Sequence, residues 1–302
     1  MSEMERQLTD VLEDLTPSLV AMRRKGWFYV GLVMLAALSA ALALVPVFGI
    51  GSPGPLIIPV TFGALGGIAV NDWVSRVQQQ LVMPHLAQTV QLTYQQDATS
   101  FLNGLPNRLL PKVRKRTAED LISGHIAGRE IKLAEVRIER GGRRRRVIFQ
   151  GVVLRFENAL PLPAFFIAPL RQASGWSSMF DLSNLIPVEP VVGRRGEIYS
   201  VWLSESGIAR QHPALNEVID ILVQIEDGVA QNVSLYSATS TGEEMHIALR
   251  HKRDLFRIGG LLAGDAGLTE SIKTAFQDLN VPLQVVSRLL EAERQAQQIK
   301  ET

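Results

Sequence analysis

The stretch WFYVGLVMLAALSAALALVPVFGI, from Trp27 to Ile50, carries no charged residue over 24 positions. At about 1.5 Å per residue such a helix crosses a hydrocarbon core of about 30 Å. Core helices of soluble domains keep a polar face over that length, and this one has none. A secretory leader is the rival reading, with Arg23, Arg24 and Lys25 as its charged region and Ala41 or Ala43 near its cleavage site. Against it, more than twenty residues of charged sequence precede the run and a second apolar run follows at once.

That second run, Pro55 to Val70, is interrupted by Pro59, Gly63, Gly66 and Gly67 and reaches spanning length when Trp73 and Val74 are included. Gly63 and Gly67 have the spacing that lets helix backbones approach closely, and the two spans of one chain are the simplest pair to use it. Residues 49–55 (GIGSPGP) are turn formers, so the spans are expected to run antiparallel as a hairpin over 23–74, with helices at 27–50 and 55–74. Trp27 and Trp73 then mark one interface. Basic residues flank both outer ends, Arg23 to Lys25 and Arg76, whereas the connecting turn is uncharged. The positive-inside rule therefore predicts both termini in the cytoplasm, as expected for a multi-pass protein of a bacterial inner membrane.

Outside the hairpin the chain has ordinary soluble composition. Residues 1–22 place Leu8, Val11, Leu12, Leu15 and Leu19 on one helical stripe, an amphipathic N-terminal helix. Residues 75–116 read as a helical stalk, rich in glutamine and kinked at Pro84, followed by a basic linker of Lys112, Arg114, Lys115 and Arg116. Residues 117–302 read as an antiparallel α+β domain. Thr117 to Asp120 suggest a helical turn. Ile131 to Ile138 suit a strand with a bulge near Ala134 and Glu135, and Gly141-Gly142 a hairpin turn before Val147 to Phe156, whose alternation Gly151 interrupts. Further strands are expected at 165–168, 198–203, 233–237 and 245–249, the last two joined at Thr241 and Gly242. Leu215, Val218, Ile219, Leu222 and Val223 give an amphipathic helix opened by Pro213. Two C-terminal helices, 267–280 and 282–300, are expected to part near Pro282. The fold class is thus α+β: a transmembrane hairpin, a stalk and an antiparallel-sheet domain.

Several stretches in order carry a resemblance. They are Glu119 to Gly124 leading to Ala134-Glu135-Val136, Phe149-Gln150-Gly151 before an apolar strand, Ile198 to Trp202 before Ala209-Arg210 and Pro213, and Ile247-Ala248 before Asp254-Leu255-Phe256. Over about residues 117–290 the chain resembles an uncharacterised family of two-pass bacterial membrane proteins carrying a domain of unknown function. The resemblance implies a membrane-tethered cytosolic domain and assigns no activity. The four arginines Arg143, Arg144, Arg145 and Arg146 are not a feature of that family.

Chemistry is sparse. The chain has no cysteine, which excludes disulfides and thiolate nucleophiles. His246 and His251 are five apart, a poor spacing for zinc on a helix, and no phosphate loop or nucleophile elbow occurs. Gly259, Gly260, Gly264 and Gly267 read as an ordinary connection before a helix. No catalytic, cofactor-binding or metal residue is assigned. Between Arg108 and Arg146 stand 13 Lys and Arg against 5 Asp and Glu, densest at Arg143 to Arg146. That tip is a solvated turn, a contact for anionic headgroups, or a nucleic-acid site. The last wants interleaved aromatics, and none precedes Phe149. The expected partners are the lipid bilayer and a cytosolic or membrane protein, met by a sheet edge or the C-terminal helix. The leading expectation is a membrane-anchored interaction module without cofactor. The alternatives are a sensor of anionic membrane surface through the basic tip, or an enzyme with an unrecognised site.

Overall fold

The computed structural model describes residues 3–48, 54–113, 115–141, 146–158, 162–170, 182–193, 196–204, 213–225, 233–251, 253 and 255–301. The chain divides into two compact units, Met1–Thr89 with Phe256–Phe276, and Val90–Leu255 with Gln277–Thr302.

In the first unit the N-terminal stripe and the first apolar run form one helix, α1 (Glu3–Phe48), with no break between them. The second run opens α2 (Gly54–Thr89), which continues through Pro59 and Pro84. Among the described residues one helix, over Val11–Leu44, is long and apolar enough to cross a membrane, with 6% of its most apolar window buried. The expected pair of spans is therefore met by that run alone; the turn residues 49–53 lie outside the described residues. The two helices run antiparallel: Gly26 lies against Val74, Tyr29 against Trp73 with ring centroids 5.6 Å apart, and Val33 against Gly66.

The second unit is built on a sheet of ten antiparallel strands: β1 (Leu92–Asp97), β2 (Lys115–Ile126), β3 (Arg129–Arg140), β4 (Arg146–Glu157), β5 (Phe165–Pro169), β6 (Leu185–Pro187), β7 (Val191–Val192), β8 (Ile198–Ser204), β9 (Val233–Ser240) and β10 (Glu244–His251). Their order is β1-β2-β3-β4-β10-β9-β5-β8-β6, with β7 also on β8. Its helices are α3 (Thr99–Asn103) and α4 (Pro213–Val223), and α5 (Asp265–Glu301) belongs to the first unit up to Phe276 and to the second from Gln277. One face of the sheet, with Val136, Ile138, Phe149, Val153, Phe166, Tyr236 and Ala248, is covered by α3 and the segment through Leu109 and Leu110. Phe149 and Tyr236 meet edge to face at 4.9 Å, and Ser237 Oγ donates to the Leu109 carbonyl, which satisfies a buried hydroxyl. Losing one such aromatic side chain from the core costs about 3–5 kcal/mol.

Four expectations are corrected. The stalk stops at Thr89, and residues 92–97 and 115–126 are strands. Gln91 takes a positive φ of 58° at the exit of α2, and Leu92 is the one fully buried residue of the edge strand, so propensity had nothing apolar to contradict it. The proposed turn at Thr117–Asp120 belongs to β2. The bulge expected near Ala134 lies on that facing strand, where Asp120 and Leu121 oppose Ala134 and Asp120 has φ 58°. Finally, Pro282 sits inside α5, which is one helix. It buries Val285, Val286, Leu289 and Leu290, and that packing outweighs the local cost of the proline.

Candidate functional site

At the β6 end of the sheet, α4 and strands β6 to β8 enclose an open groove of about 560 Å³. The sequence makes this by two periods. Leu215 and Ile219 are four apart on α4, and Val201 and Leu203 are two apart on β8, so both pairs point the same way from their element. These four side chains form a buried apolar floor, while Glu189, Asn216 and Asp220 are exposed at the rim. Exposed Ile186 stands beside Leu203 on the groove side, whereas exposed Val192 and Ile198, paired with each other, lie on the opposite face of the same edge. The opposite edge, β1, exposes Thr93, Gln95, Gln96 and Asp97 instead. The groove combines an apolar floor with a carboxylate rim, a lining that suits an apolar group lying beside a cation.

The densest set of titratable groups lies elsewhere, on β3, β4 and β10. Lys132, Arg155 and His246 stand in register across the three strands, and Glu244 stands opposite Glu157 one step along. Arg155 pairs with Glu244, Lys132 with Glu130 at 2.7 Å, and the Glu130 N–H donates to Glu157 Oε2 at 3.4 Å. His246 is 2% exposed, its Nε2 3.7 Å from Glu244 Oε2, and its Nδ1 has no hydrogen-bond partner. Burial pushes this imidazole down to about 4 against the opposing pull of Glu244, so it is neutral at pH 7. His251, an odd number of residues away on the same continuous strand, faces the other side of the sheet. Burial, helped by Arg253, also brings it down to about 4. The two imidazoles are thus kept apart, and no group of metal-ligating side chains forms among the described residues.

Of the basic tip, Arg143, Arg144 and Arg145 lie outside the described residues. Arg146 begins β4, exposed and directly opposite Arg140. Like charges facing each other across a ladder are destabilising. Elsewhere in the basic region Lys115 and Arg137 share one carboxylate, Glu139, at 2.8 and 2.9 Å. In the helical pair, a Cβ on Gly63 would come within 3.4 Å of Met34 Sδ, and one on Gly66 within 2.5 Å of Val33 Cγ1. A Cβ on Gly67 would meet nothing within 4 Å, so the close approach uses Gly63 and Gly66.

The first unit holds a second constructed feature that sequence reading passed over as a connection. Asn71, Ser75 and Gln78 recur at i, i+4 and i+7 on α2 and bind the backbone of the Ile258–Leu261 segment. Asn71 Oδ1 accepts from the Leu261 N–H at 2.9 Å, Gln78 Oε1 accepts from the Gly260 N–H at 2.9 Å, and Ser75 Oγ donates to the Ile258 carbonyl at 2.9 Å. Ser271 Oγ accepts from the Gly259 N–H at 3.0 Å. Gly259 and Gly260 have φ of 59° and 125°, the second inaccessible to other residues without strain. The loop then presents Leu262, 84% exposed.

No protein-family model and no curated protein matches the chain. Among solved structures it is similar to the mycobacterial trehalose monomycolate transport factor A, at 9% identity and a TM-score of 0.34, covering 66% of this chain and 93% of that one.

Proposed function

We propose that the chain is a membrane-anchored interaction module of a bacterial inner membrane. A two-helix hairpin holds it with both termini in the cytoplasm, and its sheet unit docks a protein partner. The anchor reading rests on exposure. Phe28, Leu32, Met34, Leu35, Leu38 and Leu42 of α1 are all exposed, as are Ile57, Val60, Phe62, Leu65 and Ile68 of α2. Water would solvate that much contiguous apolar surface only at large cost, whereas lipid covers it without one. The pairing of α1 with α2 carries the second run through the same layer.

The groove beside α4 carries the docking reading. Its floor takes apolar side chains, and Glu189 and Asp220 at its rim favour basic ones, so the partner is expected to offer an apolar segment flanked by lysine or arginine. The test is affinity purification of the full-length protein from gently solubilised membranes, with mass spectrometry of what copurifies. A partner recovered with the wild type and lost with the E189K/D220K double variant supports the proposal. Both positions are exposed, so the variant keeps the fold. Equal recovery with both proteins removes the groove from the reading.

A further inference from the structure

The Gly259–Gly264 loop is held where the helices leave their apolar layer. Leu261 fills the space beside Gly26, where an added Cβ would lie 2.5 Å from Leu261 Cδ2 and 2.6 Å from Val74 Cγ2. Gly26 precedes Trp27, and Tyr29 packs edge to face on Trp73; all three aromatic residues are at least 36% exposed. Such half-exposed tryptophan and tyrosine sit at the level of lipid headgroups. Asn71, which grips Leu261, lies two residues before Trp73 on a helix directed out of the layer, about 3 Å closer to the lipid interior than Trp73. Charged groups flank the loop at the same level, as headgroup depth requires: Arg23 pairs with Asp265 at 2.5 Å, and Arg257 with Asp72 at 3.2 Å.

In that setting Leu262 is anomalous for a water-facing residue. Among the described residues it is the most exposed of the large apolar side chains, yet four hydrogen bonds and two positive-φ glycines hold the segment before it. We propose that this loop inserts Leu262 into the headgroup–acyl boundary of the lipid bilayer, fixing the start of α5 to the membrane surface as an anchor beside the helices. The occupant is lipid because Leu262 follows Leu261, which packs beside Gly26, the residue before the exposed Trp27 and Phe28. The proposal rests on the membrane reading of α1, and the experiment separates the two.

The absence of cysteine makes L262C a unique labelling site in the full-length protein. An environment-sensitive fluorophore there, in vesicles of phosphatidylethanolamine and phosphatidylglycerol, is compared with the same label at L38C, within the span, and at T93C, on an exposed strand edge. Blue-shifted emission from L262C, quenched by lipids brominated near the headgroup, supports insertion. Water-like emission from L262C, matching T93C, while L38C is quenched by brominated chains overturns the loop proposal and leaves the span intact. Loss of quenching at L38C as well overturns both.

Discussion

Replacing Gly151 by alanine tests the geometry of the sheet at its centre. Gly151 lies on β4 opposite Arg250 of β10, between a bulge at Ile148 on its own strand and one at Tyr236 on β9. A Cβ there would overlap the Leu249 carbonyl oxygen and lie 2.9 Å from both the Leu249 carbonyl carbon and Arg250 Cα. These are backbone atoms, so no rotamer change relieves the clash; β4 and β10 must part. Overpacking a core costs about 1–3 kcal/mol. Parting the strands adds about 1 kcal/mol for each ladder bond lost. It also disturbs Arg250, which donates to the Ile148 carbonyl at 2.9 Å and lies 4.8 Å over the Tyr236 ring. With two ladder bonds lost, the expected destabilisation is about 3–5 kcal/mol. For a unit of this size that lowers Tm by at least about 6 °C. The assay is thermal unfolding of the full-length protein in detergent, followed by tryptophan fluorescence. G141A is the control, because a Cβ at Gly141 meets nothing within 4 Å, and its melting is expected to stay within about 2 °C of wild type. A G151A protein that melts with the wild type refutes the close approach of β4 and β10.

Acid should weaken the sheet unit through its buried imidazoles. With folded values near 4 for His246 and His251 and an unfolded value near 6.5, the unfolded chain binds more protons between those limits. Their stabilisation is full above about pH 6.5 and falls away as pH drops towards 4. Neither ring nitrogen of His251 has a hydrogen-bond partner, so H251L is expected to hold stability at pH 7 and to remove about 2–4 kcal/mol of the loss between pH 7 and 4. Denaturant melts at both pH values check it, and an unchanged slope counts against the burial argument. In the helical pair, G66L is expected to lower Tm in detergent by several degrees and G67L to leave it unchanged, since Val33 stands at contact only with the first. Equal effects from the two would mean that α1 and α2 meet through another face.

What the sequence disclosed depended on whether an element's partner was close along the chain or distant. The 215–223 helix was readable because its apolar spacing is internal, and β3 and β4 because both are apolar enough to be strands in any context. The edge strand β1 was hidden: glutamines that suit helices form it, and its pairing with Gly124 to Glu119 some thirty residues on decides the matter. Gly151 was visible as a break in alternation, but its reason is a carbonyl oxygen of Leu249, about a hundred residues away.

The polar stripe on α2 argues the same point at the candidate sites. Asn71, Ser75 and Gln78 fall on one helical face, but in sequence the glutamine-rich stretch reads only as a stalk and their spacing passes unnoticed. Their hydrogen-bond partners are backbone groups of Ile258, Gly260 and Leu261, more than 180 residues later. Once those bonds are known, the glycines at 259 and 260 cease to be punctuation. Only φ values of 59° and 125° let the backbone turn to meet the stripe, and Leu262 is carried outward by that turn. The groove beside α4 is legible to a similar degree. Its floor was visible as the apolar face of the helix, but Glu189 and Asp220 become one rim only because β6, β7 and β8 bring residues thirty apart to the same edge. Both surfaces are products of long-range pairing, which periodicity cannot report and which a variant at an exposed rim or loop position can test without disturbing the fold.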